Sequence, residues 1–283
     1  MRRALSAGER DALRRLLTAA KLEILPLRAV LDEVAGLERG TTLAVTASPS
    51  KPLEASIAFA AELGGAGHDV VVHLAARMVR DRGHLAELLA AMRDAGVGRA
   101  FVVGGDAPQA GDYPDALTLL RDMADIEGRP GEVGIGCHPQ GHPLIRDDVL
   151  AAALREKAQY ADYMTSQLCF DTDALGAWLS ARRAEGLVLP LDVGLPGAVD
   201  TGRLLRISAR IGVRDAARFA AKQGGLLARV LRPGGYRPDG LLHGLAPILA
   251  DPAFSVRGLH VFTFNQVART QEWRRDFIAR LPG

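Results

Sequence analysis

Eight polar side chains stand near the ends of eight apolar, strand-like runs of this sequence. Each run is otherwise almost free of polar groups, and helical stretches separate one run from the next. Parallel strands that are buried on both faces are expected to be almost wholly apolar, so recurring polar residues at their ends need a reason. These first candidates for chemistry are Glu23, Thr46, His73, Asp106, His138, Gln167, Asp192 and Asn265.

Glu23 is the sharpest single candidate, because the run Leu22-Glu23-Ile24-Leu25 contains no other polar residue. Burial raises the pKa of a carboxyl group, and a raised pKa suits the group to donate a proton near neutral pH. A second interpretation is equally open at this point, in which Glu23 forms a salt bridge with a neighbouring arginine such as Arg28.

A glycine pair and an aspartate close the fourth run, in Gly104-Gly105-Asp106-Ala107-Pro108. Two glycines let the backbone approach a flat ligand closely, and Asp106 could accept hydrogen bonds from ring or ribose donors. The alternative is a Gly-Asp turn in which Asp106 caps the segment that follows.

The loop after the fifth run, residues 138–143, holds two histidines that are four residues apart. Its prolines exclude a helix, and no cysteine or acidic cluster completes a ligand set, so we predict no metal site. We expect a rigid wall instead, in which His138 and His142 donate hydrogen bonds to a phosphate or a ribose.

Gln167 and His73 each lie within an apolar run. The amide of Gln167 can both donate to and accept from a heterocycle with an amide edge, although the barrel backbone could satisfy it instead. His73, taken alone, is more typical of a core histidine than of a ligand contact. The sequence contains neither a Ser-His-Asp set nor a phosphate-loop motif.

The alternation of strands and helices predicts a (β/α)8 TIM barrel that spans residues 1–283 as a single domain. The active site of such a barrel lies at the carboxyl ends of its strands. An open doubly wound sheet would usually show a glycine fingerprint after strand 1, where this chain has Pro26-Leu27-Arg28. The predicted strands cover residues 22–27, 42–47, 70–74, 100–103, 133–137, 163–170, 187–193 and 259–264.

Helices are expected between these strands, together with additional ones outside the regular pattern. An N-terminal helix is predicted over residues 7–19, and the long stretch between strands 7 and 8 is predicted to hold extra helices near 214–231 and 241–250. The remaining predicted helices are one with Leu85, Leu88, Leu89 and Met92 on a single face, and those near residues 53–64, 115–124, 147–160, 172–184, 201–210 and 266–280.

Composition narrows the function classes. The chain has 283 residues, 48% of them hydrophobic, and a net charge of +2, which does not favour nucleic acid or a membrane surface. Cys137 and Cys169 fit no CxxC pattern and indicate a reducing cytoplasm. The arginine-rich start contains Glu9 and Asp11 and lacks a signal-type apolar core, so an ordinary helix is expected there.

Taken together and in order, these segments resemble the methylenetetrahydrofolate reductase family from about residue 21 onward. The matching segments resemble, in turn, the family patterns FEFFPPR, the second-strand threonine, PHLT, RGDxP, YPExHP, LKxK, TQxFFD, PGIxP and YTLN. They are residues 22–28, 45–46, 72–74, 105–108, 138–143, 154–157, 166–171, 193–196 and 262–265.

The resemblance implies an oxidoreductase that reduces 5,10-methylenetetrahydrofolate to 5-methyltetrahydrofolate. NADH or NADPH would supply the hydride through bound flavin adenine dinucleotide (FAD). Glu23 would protonate the folate nitrogen, Asp106 would adjust the charge near the flavin and the pterin, and Gln167 would bind the folate. The implied flavin contacts are Thr46, His73, Gly105, Asp106, His138, His142 and Lys157.

The chain also departs from the family pattern. Gly104 stands where the family has an arginine, His138 replaces a tyrosine, and Gln266 replaces the arginine that follows the closing asparagine. Two alternatives therefore stay open: a flavin-independent reductase of the same substrate, and a folate-binding barrel without reductase activity that serves methyl transfer. Family members are often homo-oligomers, and the sequence leaves the oligomeric state open.

Overall fold

The eight strands close into one barrel in which every neighbouring pair is parallel, in the order β1 to β8 with β8 beside β1. The computed structural model describes residues 3–108, 111–142, 144–200 and 235–282. The predicted (β/α)8 barrel is confirmed. The strands are β1 (Lys21–Ile24), β2 (Thr42–Val45), β3 (Asp69–Ala75), β4 (Arg99–Val103), β5 (Glu132–Cys137), β6 (Tyr163–Ser166), β7 (Leu191–Pro196) and β8 (Val256–Phe262).

Helices follow the strands and surround the barrel, and we number those that the structure describes in chain order. Four of them begin with an acidic or hydroxyl N-cap, as when the Asp171 side chain accepts from the amides of Asp173 and Ala174. They are α1 (Ala7–Thr18), α2 (Leu31–Val34), α3 (Leu53–Gly65), α4 (Arg82–Asp94), α5 (Ala116–Ala124), α6 (Asp147–Lys157), α7 (Thr172–Ala184), α8 (Asp239–Ala250) and α9 (Val267–Ala279).

Most predicted helices are found close to their expected positions. The N-terminal helix and the one expected near residues 241–250 are confirmed as α1 and α8. The helices expected near 201–210 and 214–231 lie outside the described residues. Every helix in the described part of the chain is too short or too polar to span a bilayer.

Strand residues alternate between the helix layer and the barrel interior, as successive side chains of a strand must. On β2, Leu43 and Val45 pack in the main core, whereas Ala44 joins a small interior cluster with Val71, Phe101 and Tyr163. The Tyr163 ring fits because β5 has Gly134 opposite it, where a Cβ would lie 2.2 Å from the ring. Side chains therefore fill the barrel interior, and a ligand is expected at the barrel mouth, where the carboxyl ends of the strands meet.

Asp192 was predicted to lie near the carboxyl end of its strand, as a candidate site residue. That prediction is wrong, because Asp192 lies at the amino-terminal end. The observed β7 runs from Leu191 to Pro196, whereas the predicted strand covered residues 187–193. Residues 187–190 form an apolar loop instead, in which Val188 is 74% exposed. Asp192 is therefore the second residue of β7, and its Oδ2 lies 2.9 Å from the Nζ of Lys21, the first residue of β1.

The Lys21–Asp192 pair belongs to a network at the amino-terminal end of the barrel. Arg257 of β8 donates to Asp192 at 3.1 Å and to Glu132 at 2.5 Å, and its guanidinium lies 3.8 Å from the centre of the Tyr163 ring. Burial opposes ionisation of Asp192, but the charges of Lys21 and Arg257 outweigh burial and lower its pKa. At this end of such a barrel, a charge network serves stability rather than chemistry.

Candidate functional site

Glu23 extends into the mouth of the barrel and is held there by a histidine that the sequence did not single out. Its side chain is 19% exposed, and its Oε2 lies 2.9 Å from Nε2 of His260. The two residues meet because β8 pairs with β1, which sets Glu23 beside Phe262. The predicted alternative, a salt bridge to Arg28, is not formed: Arg28 contacts Glu62 at 2.6 Å.

His73 lies beside this pair in the barrel interior. Its ring centre is 4.8 Å from that of Phe101 and 6.3 Å from that of His260, and the residue is only 6% exposed. Burial lowers the pKa of His73 to about 4, against the opposing effect of the Glu23 charge. The imidazole is therefore neutral near pH 7, and its Nε2 has no hydrogen-bond partner in the described part of the chain.

Glu23, His73 and His260 together form a group of three donors, with their donor atoms within 4.8 Å of one another. Two imidazoles and one carboxylate are ligands typical of zinc and of other divalent transition metals. From the sequence, only His138 and His142 were considered as a possible metal site, because they are close in the chain. His73 and His260 come together only when the barrel closes.

The turn after β4 packs tightly against β3 and presents Asp106 to solvent. Gly105 has a φ of 83°, and a Cβ there would lie 2.8 Å from the Cβ of Ala75, so a larger residue does not fit. The capping role considered for Asp106 is filled by another residue, since the Asp115 side chain accepts from the Thr118 amide at the start of α5. Asp106 is thus exposed at the mouth, and the strands β2 and β3 separate its strand from the Glu23 strand.

Thr46 follows β2 and donates its amide to the Ile24 carbonyl at 3.0 Å, which places it next to the Glu23 strand. Its hydroxyl is buried and has no hydrogen-bond partner within the described ranges. A buried, unsatisfied hydroxyl is costly to folding, so Thr46 is a credible contact for a bound ligand.

The loop after β5 brings its two histidines into contact, and the charge of a nearby lysine acts on one of them. His138 and His142 meet edge to face with ring centres 5.3 Å apart, and burial lowers the pKa of His138 to about 4. Lys157 is half-buried and donates to the Gly136 carbonyl at 3.2 Å. Burial also lowers the pKa of Lys157. This single bond leaves two of the three N–H donors of its ammonium group for a ligand.

Gln167 lies beside this wall and is exposed at the mouth. The backbone N–H of Gln167 donates to the Cys137 carbonyl. Its side-chain Oε1 accepts from the Leu168 backbone amide at 2.9 Å. The side-chain carbonyl is therefore satisfied locally, as one prediction had it, while the side-chain NH2 is left for a ligand.

Asn265, the last of the eight, closes the barrel rather than facing a ligand. Its side chain is buried, accepts from the Leu25 amide at 2.7 Å and donates to the Leu25 carbonyl at 3.3 Å. Thr263 adds a bond from its hydroxyl to the Glu23 carbonyl at 2.6 Å. These contacts fix the backbone at Glu23 and two residues after it, so they position the carboxylate indirectly.

Comparison with known proteins gives no family for this chain. No family model matches it. Similar solved structures include a protein from Burkholderia cenocepacia J2315 that is provisionally described as a lyase/mutase. It has 19% identity and a TM-score of 0.49, over 94% of this chain and 86% of the other.

Two further solved structures show a similar degree of likeness. A mandelate racemase/muconate lactonizing family protein from Azoarcus sp. EbN1 has 15% identity and a TM-score of 0.46, over 90% of this chain and 53% of the other. A provisionally described deoxyribose-phosphate aldolase from Toxoplasma gondii ME49 has 10% identity and a TM-score of 0.49, over 97% of this chain and 98% of the other. At these values the likenesses carry no argument about substrate or reaction.

Proposed function

We propose that this chain is an enzyme that reduces 5,10-methylenetetrahydrofolate to 5-methyltetrahydrofolate, with a reduced nicotinamide as the source of hydride. The observation that carries the proposal is Glu23, a carboxyl group at the barrel mouth that is hydrogen-bonded to His260 and 19% exposed. The resemblance of nine ordered segments to the reductase family supports the choice of substrate.

The reaction needs one proton and one hydride. Glu23 donates the proton to the folate nitrogen, the carbon–nitrogen bond of the five-membered ring breaks, and an iminium is left on the other nitrogen. Hydride adds to the iminium carbon, which becomes the methyl group. Asp106 and Gln167, both exposed at the same mouth, are the groups that would hold the pterin edge through hydrogen bonds.

His260 determines which oxygen of Glu23 takes part. Its Nε2 contacts Oε2, so Oε1 is the oxygen left to face the substrate. Because His260 is only 2% exposed, this contact is shielded from water and holds the carboxyl group in one orientation.

The residues expected to hold FAD fit that cofactor only in part. Thr46 has a free buried hydroxyl, and Lys157 keeps two N–H donors beside its bond to the Gly136 carbonyl, but Gly104 offers no side chain where the family has a cation. A bound flavin would thus lack one of the two positive partners expected for it. We therefore derive no step through a flavin, and direct transfer of hydride from the nicotinamide is the route that these contacts favour.

Anaerobic incubation of the purified protein with NADH or NADPH and 5,10-methylenetetrahydrofolate tests the proposal. Mass spectrometry is expected to detect 5-methyltetrahydrofolate, in a protein whose visible spectrum has no flavin bands. A yellow protein with the same activity would restore the flavin route. Folate binding without turnover under either donor would favour the non-reducing folate-binding barrel.

One observation favours a second candidate, a metal-dependent enzyme. The donor atoms of Glu23, His73 and His260 lie within 4.8 Å of one another and could hold a divalent cation. Such an ion would occupy the carboxylate that the reductase needs for proton transfer. Treatment with a chelator separates the two candidates, because it leaves folate reduction unchanged and abolishes metal-dependent turnover.

A further inference from the structure

A cavity of about 550 Å³ lies beside the barrel mouth, between the loops that follow β2, β3 and β4. Its volume is typical of small-molecule sites. None of the eight polar residues at the strand ends lines it. Its lining residues are Pro49, Ser50, Lys51, Pro52, Arg77, Met78, Val79, Arg80, Ala107 and Gly111.

The lining is strongly positive. Lys51, Arg77 and Arg80 contribute three cations, and the described lining residues include no carboxylate. The nearest partner of Arg80 is Glu87 at 3.6 Å, and both side chains are well exposed, so that pair is weak. A cavity with this charge attracts an anionic ligand.

Two of the cations are held rigidly. Arg77 donates from Nε to the Ala107 carbonyl at 2.7 Å and from Nη2 to the Pro108 carbonyl at 3.0 Å. Lys51 donates from Nζ to the Pro26 carbonyl at 2.6 Å. A guanidinium has five N–H groups and an ammonium has three, so both keep donors for a ligand while their positions are fixed.

These same contacts connect the cavity to the candidate catalytic residues. Pro26 lies three residues after Glu23, and Ala107 directly follows Asp106. A ligand whose charged part binds Lys51 and Arg77 therefore lies alongside both loops and can extend into the mouth of the barrel.

We propose that this cavity binds the pyrophosphate of the reduced nicotinamide dinucleotide. Guanidinium groups match phosphate oxygens in geometry, and the partly exposed Met78 adds apolar surface on which a base can pack. The inference rests on the proposed function, since it gives the hydride donor a place from which its nicotinamide reaches the folate. The carboxylates of a polyglutamylated folate tail are the other anion source that the experiment must separate.

Arg80→Met is the cleanest variant, because the bonds of Arg80 to the neighbouring segments come from its backbone and the substitution keeps them. Arg82→Met is its matched control: it removes the same charge from the same segment, but Arg82 pairs with Asp122 at 3.0 Å and does not line the cavity. Isothermal titration calorimetry measures the Kd of three nucleotide probes, NADH, NADPH and ADP, the last as a pyrophosphate probe without nicotinamide, and separately the Kd of tetrahydrofolate triglutamate. Circular dichroism melting confirms that both variants are folded.

Arg80→Met is expected to raise the Kd of all three probes about tenfold, whereas Arg82→Met changes them less than twofold. Binding to the wild type should weaken with added salt more steeply than binding to Arg80→Met. Equal nucleotide affinity in the two variants overturns the inference. So does a loss confined to tetrahydrofolate triglutamate, which would assign the cavity to the folate tail.

The proposed function and this inference fail in different ways. If ADP and NADH bind in an Arg80-dependent manner and no 5-methyltetrahydrofolate forms, the nucleotide site stands and the reductase assignment falls. If the product forms with a KM for NADH that Arg80→Met leaves unchanged, the reductase stands and the nucleotide site falls.

Discussion

The Glu23 carboxylate and the His260 imidazole lie 237 residues apart in the chain, yet their Oε2 and Nε2 atoms are 2.9 Å apart across the seam where β8 closes the barrel on β1. The hydrogen-bonded pair of Glu23 and His260 therefore forms only when the barrel closes, because each residue comes from a different strand. Asn265 and Thr263 strengthen the same seam through their bonds to Leu25 and Glu23.

His260 is expected to act as a positioning residue for Glu23. His260→Phe should lower kcat for folate reduction about 10- to 100-fold and leave the KM for folate nearly unchanged, because the carboxyl group loses its fixed orientation. His260→Gln, which can still donate to Oε2, should recover part of the rate. Steady-state kinetics over a range of pH provides the measurement.

A purely structural role for His260 would show a different pattern. In that case kcat and KM would change together, or Gln and Phe would lower the rate equally, while the pH profile kept its wild-type shape.

His73 makes the stability of the protein depend on pH. Its pKa is lowered by burial from 6.5 to about 4, so the unfolded chain binds more protons than the folded one between these values. This contribution to stability is complete above about pH 6.5 and is lost as the pH falls toward 4. Between pH 7 and pH 5 the loss amounts to about 2 kcal/mol.

Comparison of the wild type with His73→Phe isolates this effect from other titrating groups such as His138. Urea unfolding at pH 7 and at pH 5 should show the variant gaining about 2 kcal/mol relative to the wild type as the pH is lowered. Parallel stability curves for the two proteins would show that His73 is not buried in its neutral form.

Asp192 is expected to matter for stability and not for chemistry. Asp192→Asn leaves the buried Lys21 without its anion, although Arg257 keeps Glu132, so the free energy of unfolding should fall by about 3 kcal/mol. The exposed pair of Asp148 with Arg146 offers a control, and Asp148→Asn should cost less than about 0.5 kcal/mol. Chemical denaturation measures both values.

Activity per folded molecule should be unchanged in Asp192→Asn. A variant as stable as the wild type but inactive would instead show that Asp192 belongs to the active site, as the sequence first suggested.

Much of the barrel was predictable from the sequence, because each strand is buried on both faces and appears as an apolar run between amphipathic helices. Strand 7 shows the limit of that signal. Residues 187–190 are as apolar as a strand, yet they form a loop with an exposed Val188, and the true strand begins at Leu191. Apolar composition does not by itself fix where a strand begins.

The candidate site was predictable only where a single strand carried it. Glu23 stood out within its own run, but its partner His260 comes from a strand at the other end of the chain, and pairing at that separation leaves no local pattern. A hint was present in Leu259-His260-Val261, where a lone histidine interrupts an apolar run just as Glu23 does. The bond of Lys157 to the Gly136 carbonyl likewise could not be foreseen, because it joins α6 to β5, which meet only in the folded barrel.

The rate of 5-methyltetrahydrofolate formation by Glu23→Gln is the most direct test of the central claim, with Glu62→Gln as a matched control. Glu62 is half exposed and pairs with Arg28 outside the barrel. Glu23→Gln should lower kcat about 100-fold or more while NADH and folate still bind, because only the proton donor is lost. A Glu23→Gln protein as active as Glu62→Gln, or a wild type that forms no product, would contradict the account.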